Sequence, residues 1–344
     1  MNLPTLFRRQ EFWLLVALAL VLATFGALSQ HTHGEQRFLT SGNFIKVAQQ
    51  ISIRTVIAVG MTLVILSGGI DLSVGSIVAV SGLVATGVMA EPLWSEVGGA
   101  RVPQPGSAWI ACGADWRVGL LAGLLAGAAM GAASGAAVAW LRVPSFIATL
   151  AMLTIGQGVA RAVSQSFPVT KYAHEGFDWI GSGALTIGSV EVPWPVVFMA
   201  VVWSVATWTL ARTSFGRQVY ALGGNAEAAR LAGVNVARLR WMLFTLSGTL
   251  AAFAGLMEAG KSQSGQPTAG EGYELQVIAA VVLGGTRLEG GSGSLVGTLL
   301  GSFIIGFLQD GLRHLGVTDA WQRIVIGGVI FGAVLLQRVR TRET

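Results

Sequence analysis

Residues 47–90 read VAQQISIRTVIAVGMTLVILSGGIDLSVGSIVAVSGLVATGVMA, and Arg54 and Asp71 are their only charged residues. Two apolar runs, 47–67 and 72–90, each approach the roughly 20 residues a helix needs to cross the hydrocarbon core of a bilayer. Between them Gly68 and Gly69 interrupt the helical pattern, and Asp71 follows at once. In a soluble fold both runs would need a charged outer layer to hide them. The whole chain is 53% hydrophobic and only 11% charged, against about 25% charged residues in an average soluble domain. The pattern predicts an all-α integral membrane protein.

Extended along the chain, the same reading finds ten candidate spans: 12–28, 47–67, 72–90, 118–140, 145–163, 193–211, 241–260, 275–286, 293–310 and 321–337. Two are short or interrupted by glycine, so some spans are expected to be broken or re-entrant. Arg8 and Arg9 precede the run Phe12–Leu28, which reads as an uncleaved first span because the rest of the chain is equally apolar. With the N-terminus inside, the inner loops collect Arg8, Arg9, Arg142, Arg212, Arg217, Arg230, Arg238, Arg240, Arg287, Arg338, Arg340 and Arg342. That bias places both termini in the cytoplasm. Trp13, Trp116, Trp140, Trp194, Trp208, Trp241 and Trp321 fall near span ends, where an amphipathic ring favours the headgroup layer. The outer loops 29–46, 91–117 and 164–192 are long, and Pro103 and Pro105 predict an irregular path for residues 91–117. No linker divides the chain, so residues 1–344 read as one transmembrane domain with an inner loop at about 213–240.

Several function classes fall away. The net charge of +5 follows from inner-loop arginines, so no nucleic-acid partner is implied. A lone cysteine, Cys112, permits no internal disulfide. His31 and His33, placed in a polar loop, read as solvated, and no metal site is expected. Gly255–Ser262 matches the phosphate-loop pattern G-x-x-x-x-G-K-S, yet it ends an apolar helix, whereas a phosphate loop must leave a strand and open a helix. No His-x-x-x-His or Gly-x-Ser-x-Gly constellation marks an enzyme, so no catalytic residue and no bound cofactor are expected.

Three patterns carry information about mechanism. Gly119, Gly123, Gly127, Gly131 and Gly135 recur every four residues in the fourth span, and Gly293, Gly297 and Gly301 repeat the device in the ninth. Such ladders let helix backbones touch in lipid, within a bundle or at a subunit interface. Gly68, Gly69, Asp71 and Ser73 form a break with an acid at membrane depth, read as a gate whose carboxylate also caps the next helix. Val64–Leu72 is echoed by Val281–Leu288, with Gly284 and Gly285 at the second break. In the inner loop, Asn225 is a good N-cap, Ala226–Ala232 a short helix, and Gly233 a good residue to end it. Gly223, Gly224, Asn225, Glu227, Ala228, Arg230, Ala232 and Gly233 thus mark a capped helix for a cytoplasmic partner to grip.

These blocks, with Gly60–Ile65, Val143–Leu150 and Glu274–Gly285, resemble the ribose/xylose/galactose-type permeases of ABC importers, over about residues 45–335. The resemblance implies a vitamin B12-type permease fold of about ten helices in the bacterial inner membrane. It implies a second permease copy or paralogue, a cytoplasmic ABC ATPase that holds ATP and Mg, and a periplasmic sugar-binding protein. The loop around Asn225 would be the coupling helix. The broken helices leave a secondary transporter driven by an ion gradient as the alternative, with Asp71 or Asp310 as its titrating acid.

Overall fold

The computed structural model describes residues 10–33, 38–172, 176–188 and 190–342. Its helices are α1 (Gln10–His33), α2 (Ser41–Leu66), α3 (Val74–Met89), α4 (Trp116–Ala139), α5 (Ser145–Ser164), the single turn α6 (Trp179–Ser182), α7 (Trp194–Arg212), α8 (Ser214–Gly224), α9 (Ala226–Leu231), α10 (Val236–Ser262), α11 (Tyr273–Leu283), α12 (Leu295–His314) and α13 (Asp319–Arg342). Seven of these, α1, α2, α4, α5, α7, α10 and α12, are long and apolar enough to cross a membrane. Helix α3 has 16 residues and α11 has 11. At 1.5 Å per residue these reach only about 24 and 16 Å, short of a ~30 Å hydrocarbon core. They lie on the segments 72–90 and 275–286 read from the sequence.

Two expectations need correction. The chain is not purely helical, because β1 (Trp94–Val97) pairs antiparallel with β2 (Ala100–Pro103), and β3 (Ala184–Ile187) with β4 (Val190–Pro193). The loop expected to be irregular therefore contains a hairpin: Gly98 and Gly99, at φ +60° and +81°, supply its two-residue turn. Pro103 ends a strand, where its missing N–H is tolerated. Secondly, His31 and His33 belong to the last turn of α1 rather than to a loop.

The core is built around α10, which packs on α4, α3 and α2. Helix α4 shows why its glycines recur every four residues. All five are buried, and they form the face that meets α3 and α10. A methyl group on Gly123 would lie 2.5 Å from the Ser81 carbonyl oxygen on α3, and one on Gly131 would lie 2.9 Å from Gly248 Cα on α10. The ladder thus serves packing within the chain. On the opposite face Val118, Leu121 and Leu125 are exposed, as suits a helix bordered by lipid. Gly297 and Gly301 of α12 likewise abut the end of α11, but Gly293 lies before α12, at φ +157°.

The long 164–192 connection is anchored to the end of the bundle that carries the hairpins. Val169 bridges to Gly265, Ala90 to Tyr172, and Phe177 and Ile180 are buried in the core. The opposite end carries the α2–α3, α4–α5 and α11–α12 junctions together with α8 and α9.

Gly131→Leu should prevent α4 from seating on α10 and lower the melting temperature in detergent sharply. Gly158→Ala, on α5 where the new methyl meets nothing within 4 Å, should be neutral or stabilising by up to about 1 kcal/mol. Paired melting curves of the two variants check this.

Candidate gate and coupling site

Helix α2 ends because Gly68 takes φ +81°, and its N–H donates to the Ile65 carbonyl at 2.9 Å while that of Gly69 donates to Val64 at 3.1 Å. This is the left-handed helix stop that glycine favours. Helix α11 ends the same way. Gly285 has φ +90°, its N–H donates to the Val282 carbonyl at 2.9 Å, and that of Thr286 to Val281 at 3.2 Å. Gly68 thus corresponds to Gly285 and Ser67 to Gly284. The two stops lie against different neighbours. Gly284 rests on the Gly297 backbone of α12, whereas Gly68 faces the loop holding Glu289 and Gly290.

Asp71 is wholly buried in the turn after Gly69. One carboxylate oxygen accepts from the Ser73 N–H at 3.0 Å and from the Ser73 hydroxyl at 2.5 Å. The other accepts from the Ser247 hydroxyl of α10 at 2.8 Å. The N-cap of α3 is Ser73 itself, so Asp71 sits two residues ahead of the expected capping position. Its role is broader than a cap, since it staples the break between α2 and α3 to the central helix. Ser247 was not distinguishable by sequence from other small residues in α10. Gly60 lies against its Cα, which brings α2 close on the same side.

Helix α8 runs from Ser214 to Gly224, and α9 follows after one residue. The Asn225 side chain accepts from the Ala228 N–H at 3.0 Å, and Gly233, at φ +87°, ends the unit with its N–H on the Arg230 carbonyl at 3.0 Å. Ala232 is the C-cap rather than the last helical residue. Only Ala229 of α9 is buried, and Leu231 is 77% exposed. Glu227, Ala228, Arg230, Ala232 and Gly233 are exposed with it. Arg230 Nε donates to Glu227 at 3.1 Å, and this bond, reinforced by the arginine charge, holds the carboxyl below its usual range.

Three glycine contacts join these parts. A side chain on Gly223 would overlap the Leu66 carbonyl, a methyl on Gly290 would lie 2.7 Å from the Gly68 nitrogen, and one on Gly291 would lie 2.9 Å from Gly224 Cα. The Gly291 N–H donates to Leu66 O at 2.9 Å. The end of α8, the stop of α2 and the α11–α12 loop are therefore in backbone contact. Sequence reading picked out Gly68, Gly223 and Gly224 and passed over Gly290 and Gly291, although they too form a doublet. Gly284 and Gly285, grouped with the gate, lie at the α11–α12 contact.

Several other polar residues inside the bundle are paired. Arg54 donates to Gln309 and lies 5.0 Å from the centre of the Tyr273 ring. Thr62 and Thr298 share a hydrogen bond of 2.9 Å, and Asp310 accepts from Asn43 at 2.8 Å. Among the described residues no group of His, Cys, Asp and Glu could hold a metal ion. The phosphate-loop match is a continuous part of α10, with no strand before it.

Residues 43–334 match the family model described as branched-chain amino acid transport system / permease component. The chain belongs to this permease family. It is 42% identical to the ribose import permease protein of Escherichia coli strain K12, over 94% of this chain and 92% of that one. The ribose import permease protein of Bacillus subtilis strain 168 is 41% identical over 88% and 87%. The xylose transport system permease protein of Haemophilus influenzae is 32% identical over 94% and 95%. No solved structure matches the chain. The resemblance to sugar-importer permeases read from the sequence therefore holds, and the chain is a non-catalytic translocation subunit.

Asp71→Ala would strand the Ser73 N–H, the Ser73 hydroxyl and the Ser247 hydroxyl in a buried site. At about 1–3 kcal/mol for each buried group left unsatisfied, the variant should lose several °C of melting temperature in detergent. Ser247→Ala should lose less, because Ser73 still satisfies one oxygen. Equal melting of wild type and Asp71→Ala would refute the staple.

Proposed function

We propose that this chain is the translocating subunit of an ABC importer for a monosaccharide or similar polyhydroxy solute. The observation that carries the reading is the 42% identity over 94% of the chain to a ribose import permease. The family description alone names branched-chain amino acids, but relatives at 32% identity or more named for ribose, xylose and allose favour a sugar.

In this reading residues 1–344 form one permease domain in the bacterial inner membrane, with ten crossings in a vitamin B12-type arrangement. The segments that contain the short helices α3 and α11, together with α13, supply the three crossings beyond the seven long apolar helices, and both termini face the cytoplasm. A second copy or a paralogue completes the path. A periplasmic binding protein delivers the sugar at the hairpin end. A cytoplasmic ATPase, carrying the ATP and Mg, grips α9 at the other. Support for α9 as the coupling helix comes from its exposed outer face and from the backbone contact between Gly223 and Leu66. ATP-driven movement of α9 would pull on α8, and through the glycine joint on the Gly68 turn that ends α2. The binding protein supplies selectivity, so the permease needs only transient contacts with its cargo.

Affinity purification from the native host, in mild detergent, should bring down an ABC ATPase in stoichiometric amount. Replacing residues 219–237 with a flexible linker should remove it. A chain that purifies alone, and that moves sugar in vesicles without ATP, would sink this reading. Gly223→Val should separate the steps: the ATPase stays bound, while transport coupled to hydrolysis falls by at least about tenfold, since the joint cannot close around a branched side chain.

A further inference from the structure

At the α9 end of the bundle, the Gly68 turn, the α4–α5 junction and the segment leading into α10 enclose an open cavity of about 880 Å³. Arg142, Arg230 and Arg240 line it, and no carboxylate does. Arg230 is shared with Glu227. Arg142 and Arg240 have no ion-pair partner among the described residues. Arg142 also holds φ +56°, in the left-handed region that residues other than glycine seldom adopt.

The walls add to the positive potential. Helix α5 starts there behind Pro144, which offers no capping side chain. Helix α10 starts there too, and Asn235 caps only the Arg238 N–H. Both helix starts therefore turn partial positive charge toward the space. Guanidinium groups gathered without acids repel one another. A ligand that relieves this must be anionic and must accept several directed hydrogen bonds. A phosphate group does both, because its oxygens match the planar fork of arginine. The cavity also has room for more than the phosphate, with Val138, Val143 and Phe244 offering apolar surface to the remainder.

We propose that this cavity binds a phosphate ester, with Arg142 and Arg240 as its principal contacts. Two sources share that chemistry: a soluble sugar phosphate and the headgroup of an anionic phospholipid. Gly68 and Gly69 line the same space, so occupancy would brace the stop of α2 and restrain the turn. The site goes beyond the importer reading and does not depend on it.

The test titrates the purified, delipidated full-length chain in neutral detergent. Ribose 5-phosphate, inorganic phosphate and short-chain phosphatidylglycerol are added separately and followed by calorimetry at low salt. At least one should bind saturably, more weakly as salt rises, and at least about tenfold more weakly to the Arg142→Gln/Arg240→Gln double variant. Arg101→Gln, on the hairpin at the far end, should bind as wild type does. Binding of a soluble phosphate supports a small-molecule site, and binding of phosphatidylglycerol alone supports a lipid site. No binding of any probe, or equal binding by wild type and the double variant, overturns the proposal. Should the double variant melt early without ligand, the single variants Arg142→Gln and Arg240→Gln carry the same comparison. A chain that binds phosphate but brings down no ATPase would keep this site and defeat the importer reading.

Discussion

Helices surrounded by lipid gain nothing from hiding apolar surface against each other, because the tails are as apolar as the side chains. Close backbone contact has to take that place, and in this molecule glycine provides it. Helix α4 lies on α3 and α10 through its glycine face, α11 lies on α12 through Gly284 and Gly297, and the stop of α2 meets α8 through Gly223. Each contact brings carbonyl oxygens and Cα atoms within van der Waals reach, where dispersion and weak Cα–H···O contacts are strongest. The two short helices depend on this scheme most. Helix α3 is too short to span alone, and it is held because α4 and α10 close around it.

Much of this was legible in the sequence, since hydropathy and glycine spacing are both local signals. Each of the ten apolar segments coincides with a helix, with ends differing by a few residues, and the four-residue period of the α4 ladder marked its buried face. The cap of α9 was equally local: Asn225 and Gly233 each act within four residues of their own position. What the sequence left hidden was pairing at a distance. Asp71 meets Ser247, Arg54 meets Gln309, and Gly291 meets Leu66. None of these spacings has a period, and serine or glycine is common enough in α10 and the α11–α12 loop to carry no signal. The hairpins were missed for another reason. Their strands have four residues each, too few for alternation to stand out, and the prolines at their ends resembled loop punctuation.

The relatives separate the ABC importer from the ion-driven carrier, being named as import and transport system permease proteins. An ion-driven carrier needs a carboxylate that can exchange its cation as the protein cycles. Both oxygens of Asp71 accept hydrogen bonds, one from Ser73 and the other from Ser247, and the residue is closed to solvent. Asp310 is likewise buried, bonded to Asn43 and 3.5 Å from His314. Both fasten one helix or its flanking turn to another.

If α9 is the handle, the position of the glycine joint decides what a pull on it can move. Helix α9 buries only Ala229, so by itself it has little grip on the bundle. Its neighbour α8 has one end fixed by Thr213, whose side chain caps it, and the other pressed on Leu66, Gly290 and Gly291. A displacement of α9 therefore reaches α2 at its last turn, where the hydrogen-bond ladder has already given way to a left-handed glycine. Asp71 lies three residues further on and fixes the chain again to α10. Between them lies Gly68–Ile70, and Ile70 is itself tied to α5, its N–H donating to the Ser145 hydroxyl at 3.2 Å and its carbonyl accepting from the Thr149 hydroxyl at 3.3 Å. A short stretch held at both ends and driven from one of them can switch between discrete arrangements, which a gate requires.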